Sequence, residues 1–253
     1  MDIDERRRKI LELLGSQSYV TVDDFARCLG VSAVTVRSDL SALEKEGEIV
    51  RTHGGAMIGE KKSKIRFISD TMTEYEKEKK AIAKKAASLI QNGSTVSIDS
   101  GSTTTRIVEF LDDKKFNVVT NNILVIDALK DNPKIESLTI IGGQLRRESM
   151  GIIGPMANDD VKDINVDIYF MGSAAYTAES LSSTSITESE VKRNMIKAAD
   201  KVVFLADSSK FGKRAFSRTA SWDVIDTFIT DKIDPAFREL LENQGIEVII
   251  ADE

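Results

Sequence analysis

From residue 95 onward, short apolar runs and helix-length segments take turns along the chain, and this alternation constrains the fold more than any other feature. The strand-like runs fall at 95–99, 116–120, 137–141, 166–171, 201–206, 227–229 and 247–250. Helical segments, including 121–130, 187–199 and 235–243, stand between most of them. Strictly alternating apolar strands and helices indicate an α/β domain with a mostly parallel sheet. The expectation for 73–253 is therefore a Rossmann-like, mostly parallel α/β domain. Sheets of this kind bind ligands at the carboxyl ends of their strands, so the residues there are the ones to inspect.

The first strand ends in Asp99, Ser100, Gly101, Ser102, Thr103 and Thr104, ahead of a helix-like stretch at 106–111. A strand that stops at a small, hydroxyl-rich turn and enters a helix forms an anion cradle. The free N–H groups, the positive end of the helix dipole and the hydroxyls all act as donors or attract negative charge. Gly101 lets the backbone come close to a ligand. An ordinary Ser/Thr N-cap gives the same sequence, and the stretch alone does not separate the two. The other strand ends carry Asn121, Gly142, Gly143, Gly172, Ser173 and Lys210. Lys210 brings a compact positive charge suited to phosphate. Gly142 and Gly143 either donate from the backbone or make a turn. Glu188, Glu190 and Lys192 open a helix at the same edge, where the dipole alone favours the acids. A polar sugar bearing one phosphate suits this set of groups.

The first sixty residues read differently. Residues 4–14 form an amphipathic helix with Ile10, Leu13 and Leu14 inward and four basic residues at its start. Thr21 caps a second helix with Val22, Phe25, Ala26 and Leu29 inward, and Cys28 is expected to be buried there. After the Gly30–Val31–Ser32 turn, Ser32 caps a third helix with Val36, Leu40 and Leu43 inward, stopped by Gly47. Strand-like residues 48–52, a turn at His53, Gly54 and Gly55, and a strand at 56–58 complete a hairpin wing. A winged helix-turn-helix places its second helix in the major groove of duplex DNA. That puts Ser32, Ala33, Val34, Thr35, Arg37 and Ser38 at base edges, and Arg51 and His53 of the wing at phosphates. Residues 1–56 carry 8 Lys+Arg against 10 Asp+Glu. A bundle serving protein contacts therefore stands as the alternative.

The totals narrow the remaining classes. The chain has 253 residues, one cysteine, one histidine and a net charge of −6. A lone Cys28 predicts a cytoplasmic protein without an internal disulfide. One histidine and one cysteine speak against zinc sites and a serine triad, and no cofactor is expected. No apolar run approaches the length of a membrane span. Residues 59–72, with Lys61, Lys62, Lys64 and Arg66, read as a partly ordered connector. Thr73 to Glu76 reads as a capping box that opens a long helix to residue 91.

The motifs resemble one family. Tyr19–Val20–Thr21–Val22, Leu29–Gly30–Val31–Ser32, Thr35–Val36–Arg37–Ser38–Asp39–Leu40 and Arg51–Thr52–His53–Gly54–Gly55–Ala56 resemble the DNA-binding domain of DeoR-family transcriptional regulators. That family usually has a second arginine where this chain has Ser38. The strand ends at Asp99, Asn121, Gly142 and Asp207–Ser208–Ser209–Lys210–Phe211–Gly212 resemble the same family's sensor domain, which is similar in fold to ribose-5-phosphate isomerase. The resemblance implies a winged helix-turn-helix at 1–58, a linker at 59–72 and an effector-sensing domain at 73–253. It implies a repressor of a carbohydrate operon, a double-stranded DNA operator, a phosphorylated sugar or related effector, and a homo-oligomer with no membrane contact. Asp99, Ser100, Gly101, Ser102, Thr103, Thr104 and Lys210 would hold the phosphate, and Asn121 and Glu190 would lie nearer the sugar. The rival is an active sugar-phosphate isomerase or deaminase with a DNA-binding head. Such isomerases carry aspartates where this chain has Met171 and Ala174, which cannot exchange protons.

Overall fold

The computed structural model describes residues 2–16, 19–45, 49–52, 54–58 and 67–252. It divides into two compact units, Met1–Ile65 and Arg66–Glu253.

In the first unit, α1 (Ile3–Ser16), β1 (Val20–Thr21), α2 (Val22–Leu29), α3 (Ala33–Lys45), β2 (Ile49–Arg51) and β3 (Gly55–Ile58) follow in order. Thr21 caps α2 by accepting from the Asp24 N–H. Gly30 ends α2 in the left-handed conformation, φ 66°, and turns the chain into α3. The core is Ile10 and Leu14 of α1, Phe25 of α2, and Val36, Leu40 and Leu43 of α3, closed by Val20, Ile49 and Ala56 of the wing. Strand β3 pairs antiparallel with both β1 and β2, so the wing is a three-stranded sheet tied back to the start of α2. A Cβ at Gly55 would stand 2.2 Å from the Val20 carbonyl oxygen. Only glycine fits at that crossing. Cys28, expected inside, is exposed, because α2 turns its Val22 and Phe25 stripe inward and leaves residue 28 on the outer face. The stop at Gly47 and the turn residue His53 lie outside the described residues.

The second unit opens with α4 (Ile68–Thr73) and α5 (Glu76–Ser88). The single long helix from Thr73 does not form. Tyr75 takes a positive φ of 50° and breaks it in two, and no side chain caps α5. Residues 68–72, expected in the connector, are helical. Next come β4 (Thr95–Ile98), a 3-10 turn Thr104–Phe110, β5 (Phe116–Thr120), α6 (Ile123–Leu129), β6 (Ile135–Ile140), and the hairpin of β7 (Gln144–Arg146) and β8 (Gly151–Ile153). Then follow α7 (Pro155–Lys162), β9 (Val166–Gly172), β10 (Ala175–Tyr176), β11 (Leu181–Ser183), α8 (Ile186–Lys197) and β12 (Ala199–Leu205). The unit closes with β13 (Ser217–Ala220), β14 (Thr227–Thr230), α9 (Pro235–Asn243) and β15 (Glu247–Ile250).

Seven strands form one parallel sheet in the order β15-β14-β12-β9-β4-β5-β6. Side chains alternate across it with a period of two. Val96, Ile98, Phe170, Val203 and Leu205 face one layer, with Ile82, Ala86, Ile107, Val125 and Leu129. Tyr169, Met171, Val202, Phe204 and Phe228 face the other, with Val161, Val191, Met195, Phe237 and Leu241. Strand order runs outward one way from β4 through β5 to β6, and the other way from β9 to β15. The reversal leaves a crevice between the carboxyl ends of β4 and β9.

Gly55→Ala is expected to destabilise the first unit by about 1–3 kcal/mol, the usual cost of overpacking. Denaturant unfolding of the full chain, followed by amide exchange in residues 20–56, measures it.

Candidate functional site

Asp99 and Ser100 follow β4, and Gly172 and Ser173 end β9, so the reversal of strand order brings them face to face. Asp99 is 2% exposed. Its carboxylate accepts the Gly172 N–H at 2.9 Å and forms an ion pair with Lys192 of α8, itself 2% exposed. Lys192 also donates to the Gly172 carbonyl at 3.2 Å. Lys192, which opens a helix at the same strand edge as Glu188 and Glu190, is thus a structural partner of Asp99. The neighbouring Tyr169 hydroxyl has its pKa raised well above the ordinary value, first by burial and then by the negative charge of Asp99.

The hydroxyls of the loop divide into two sets. Thr104 donates to the carbonyls of Asp99 at 2.8 Å and Gly101 at 3.1 Å, and Thr105 donates to Gly101 at 2.7 Å. These two shape the loop. Asn122 locks it from β5 through Thr105 at 2.7 Å and the Asp99 carbonyl at 3.3 Å. Ser100 Oγ and Thr103 Oγ1 are buried with no hydrogen-bond partner. Among the described residues, the backbone N–H groups of Ser100, Gly101, Ser102 and Thr103 also donate to nothing. The segment that follows is a 3-10 turn and not an α-helix. The expected helix-dipole cradle is therefore absent, and a run of free donors stands in its place.

Other expected site residues separate in the same way. Lys210 reaches the end of β9, donating to the Ser173 carbonyl at 2.9 Å. Asn121 spends its amide on the Ile152 carbonyl at 3.0 Å. The Gly142 N–H donates to the Asp160 carboxylate at 2.7 Å, and Gly143 lies against the Ile153 carbonyl at the base of the β7–β8 hairpin. Asn121 thus supports the hairpin, and Gly142 is tied to α7. Asp99 is likewise an internal support, since its carboxylate is already taken. Glu190 is half-buried on α8 and makes no hydrogen bond or ion pair among the described residues. The hairpin tip carries no sequence motif. A Cβ on Gly151 would stand 2.6 Å from Ser100 Oγ and 3.3 Å from Ser149 Oγ, and Ser149 Oγ is a third buried hydroxyl without a partner. Arg146 of β7 lies 3.8 Å from Glu188 at the start of α8.

In the first unit, Ser32 Oγ accepts the Thr35 N–H at 3.1 Å and so caps α3. Val34 is 73% exposed. It shares one helical face with Arg37 and Ser38, both also exposed. Ala33 is half-buried against the core, and Thr35 is half-buried. Arg51 is turned away from the phosphate position expected of it. It donates to Ser41 Oγ at 2.6 Å and lies 3.9 Å from Glu44, both on α3. His53 lies outside the described residues. Asp39 on α3 is buried and takes a two-pronged contact from Arg6 of α1, with Arg7 at 3.7 Å. Part of the basic cluster at the start of α1 is thus spent inside the unit.

A winged helix-turn-helix joined to an open parallel sheet with a polar crevice defines a class of protein: a DNA-binding regulator with a ligand-sensing domain. The profile of the DeoR-like helix-turn-helix domain matches residues 6–62, and that of the DeoR C terminal sensor domain matches residues 74–232. The chain is 35% identical over 251 residues to the HTH-type transcriptional regulator GolR of Listeria innocua, covering 98% of each. It is 32% identical to the HTH-type transcriptional repressor GlcR of Bacillus subtilis, covering 99% of this chain and 97% of the relative. Ribose 5 phosphate isomerase A from Neisseria gonorrhoeae aligns over 54% of this chain and 53% of its own, at 19% identity and a TM-score of 0.37. The chain belongs to the DeoR family of transcriptional regulators.

Removing one partner of a buried ion pair leaves the other charge uncompensated, at a cost of about 3–5 kcal/mol. Lys192→Met is expected to lose that much stability in denaturant titrations. Adding Asp99→Asn to it should restore most of the loss.

Proposed function

We propose that this chain is a repressor of a carbohydrate-utilisation operon whose hold on its operator is weakened by a phosphorylated sugar or related metabolite. Residues 1–58 read the DNA, 73–253 sense the effector, and 59–72, most of α4 included, join them. The observation that carries the proposal is the run of unspent donors at the strand-order reversal: four backbone N–H groups with the Ser100 and Thr103 hydroxyls. Buried polar groups without partners are uncommon in folded proteins. Donors with no acceptor, beside Lys210 and with the nearest carboxylate neutralised by Lys192, match a compact anion such as a phosphate ester.

On the DNA side, Val34, Arg37 and Ser38 form the exposed face of α3. Arg37 is the base- or phosphate-reading cation, and Val34 is the apolar contact for a thymine methyl. Ser32, Ala33 and Thr35 set the start of the helix, and the wing with Arg51 and His53 lies against the backbone once Arg51 leaves Ser41. Residues 1–58 hold more acidic than basic residues, so one copy gives little electrostatic affinity. We infer a homo-oligomer that presents two reading helices to paired half-sites. Edge strand β6 supports this, since its outer side pairs with no other strand among the described residues and Ile140 is half exposed. No described helix is long and apolar enough to cross a membrane, which fits action in the cytoplasm.

Arg37→Ala should weaken operator binding by about 1–3 kcal/mol, the worth of one good base contact, and leave effector binding intact. A gel-shift titration at fixed salt checks it, and unchanged affinity removes Arg37 from the reading face. The effector is found by a thermal-shift screen of phosphorylated sugars against their unphosphorylated counterparts. A ligand at a hundred times its dissociation constant adds about 2.7 kcal/mol. A response confined to phosphate esters and reduced by Lys210→Ala is the expected result; a response independent of phosphate refutes the assignment of the loop.

A further inference from the structure

Helix α4 is the first described element of the second unit, and both of its ends are fastened to parts of the crevice. At its start, the Ile68 N–H donates to the Glu148 carbonyl at 2.6 Å. Glu148 sits in the tip of the β7–β8 hairpin, next to Ser149 and three residues from Gly151, whose backbone packs against Ser100. At its end, two buried cations cap the last carbonyls. Lys79 donates to Thr71 O and, at 2.6 Å, to Glu74 O. Arg106 Nη2 donates to Met72 O at 2.8 Å. Cationic side chains are favourable at a helix C-terminus, where carbonyls lack partners.

Arg106 ties these facts together. It follows the loop directly, and its backbone N–H donates to the Thr103 carbonyl at 3.2 Å. Its side chain is 6% exposed, lies 3.5 Å from Glu76 of α5, and pairs with Glu109 at 2.9 Å. A rearrangement of Ser100–Thr103 around an anion therefore displaces the base of Arg106, while two acids hold its far end. The strain falls on the bond to Met72. The hairpin tip transmits the same event to Ile68.

We propose that α4 is the output element of the sensor and that Arg106 is the positioning residue linking effector occupancy to it. This rests on the anion-binding role assigned above to the Ser100–Thr103 loop. Coupling of this kind needs an element that both events bias, and α4 is placed between the loop and the connector.

Hydrogen exchange of the full chain, with and without inorganic phosphate, tests it. In the wild type, phosphate should slow exchange at 100–106 and change it at 68–75. In Arg106→Met the first effect should remain and the second should fall several-fold, with part of it regained in Arg106→Lys. If 68–75 responds equally in Arg106→Met, or is unresponsive in the wild type while 100–106 responds, the relay is wrong. If 100–106 itself ignores phosphate in the wild type, the anion-binding role of the loop fails, and the relay with it. Should Arg106→Met not fold, Arg106→Lys alone decides: a reduced response at 68–75 with full protection at 100–106 supports the relay, and an undiminished one overturns it.

Discussion

The crevice depends on one buried ion pair. Asp99 ends β4, Gly172 ends β9 and Lys192 lies in α8, so the single carboxylate joins two central strands to the helix packed over them. Neither charge has water around it, and a buried carboxylate without its partner carries a large desolvation penalty. The pairing also sets the charge that a ligand meets. An anion entering the loop faces free N–H groups and hydroxyls, while the acid beneath them is already matched by a lysine. The Tyr169 hydroxyl beside Asp99 stays protonated, since burial and that charge both oppose its ionisation.

The same economy appears in the DNA-reading unit. Asp39 sits on the recognition helix, where a free carboxylate would repel phosphate. It is instead buried and held by Arg6, with Arg7 close by. This neutralises an unfavourable charge and fixes α1 across α3, yet it withdraws cations from the surface. What remains outside is a small face of Val34, Arg37 and Ser38. Specificity in such a unit comes from base-edge contacts and shape more than from bulk attraction.

Much of this architecture was legible because strand and helix periods are imposed by burial. Phe116, Val118 and Ile98 read as strand residues because they are core residues, and the seven strands of the parallel sheet begin and end within two residues of the expected ones. The site was less legible, because its chemistry depends on which hydroxyls the fold leaves over. Thr104 and Ser100 look equivalent in the sequence, yet one is consumed in the loop and the other is not. Asn121 and Gly142 lie at strand ends as expected, but Asn121 serves the β7–β8 hairpin and Gly142 binds Asp160 of α7; the hairpin's two short strands carry too little pattern to be recognised. The long helix from Thr73 failed for a local reason: the positive φ at Tyr75 is a tertiary choice, favoured because Lys79 and Arg106 hold the carbonyls just before it.

The packing beside the ion pair is apolar. Met171, near the end of β9, is fully buried in the apolar layer with Val191, Met195 and Phe204. A carboxylate there would be desolvated, and Lys192, the nearest buried cation on α8, is already committed to Asp99. Catalysis requires groups that bind the transition state more tightly than the ground state. A sensor requires the opposite emphasis, a ground state held long enough to shift a second equilibrium. Under the proposed reading, fixed backbone donors, hydroxyls and a single lysine would supply that hold.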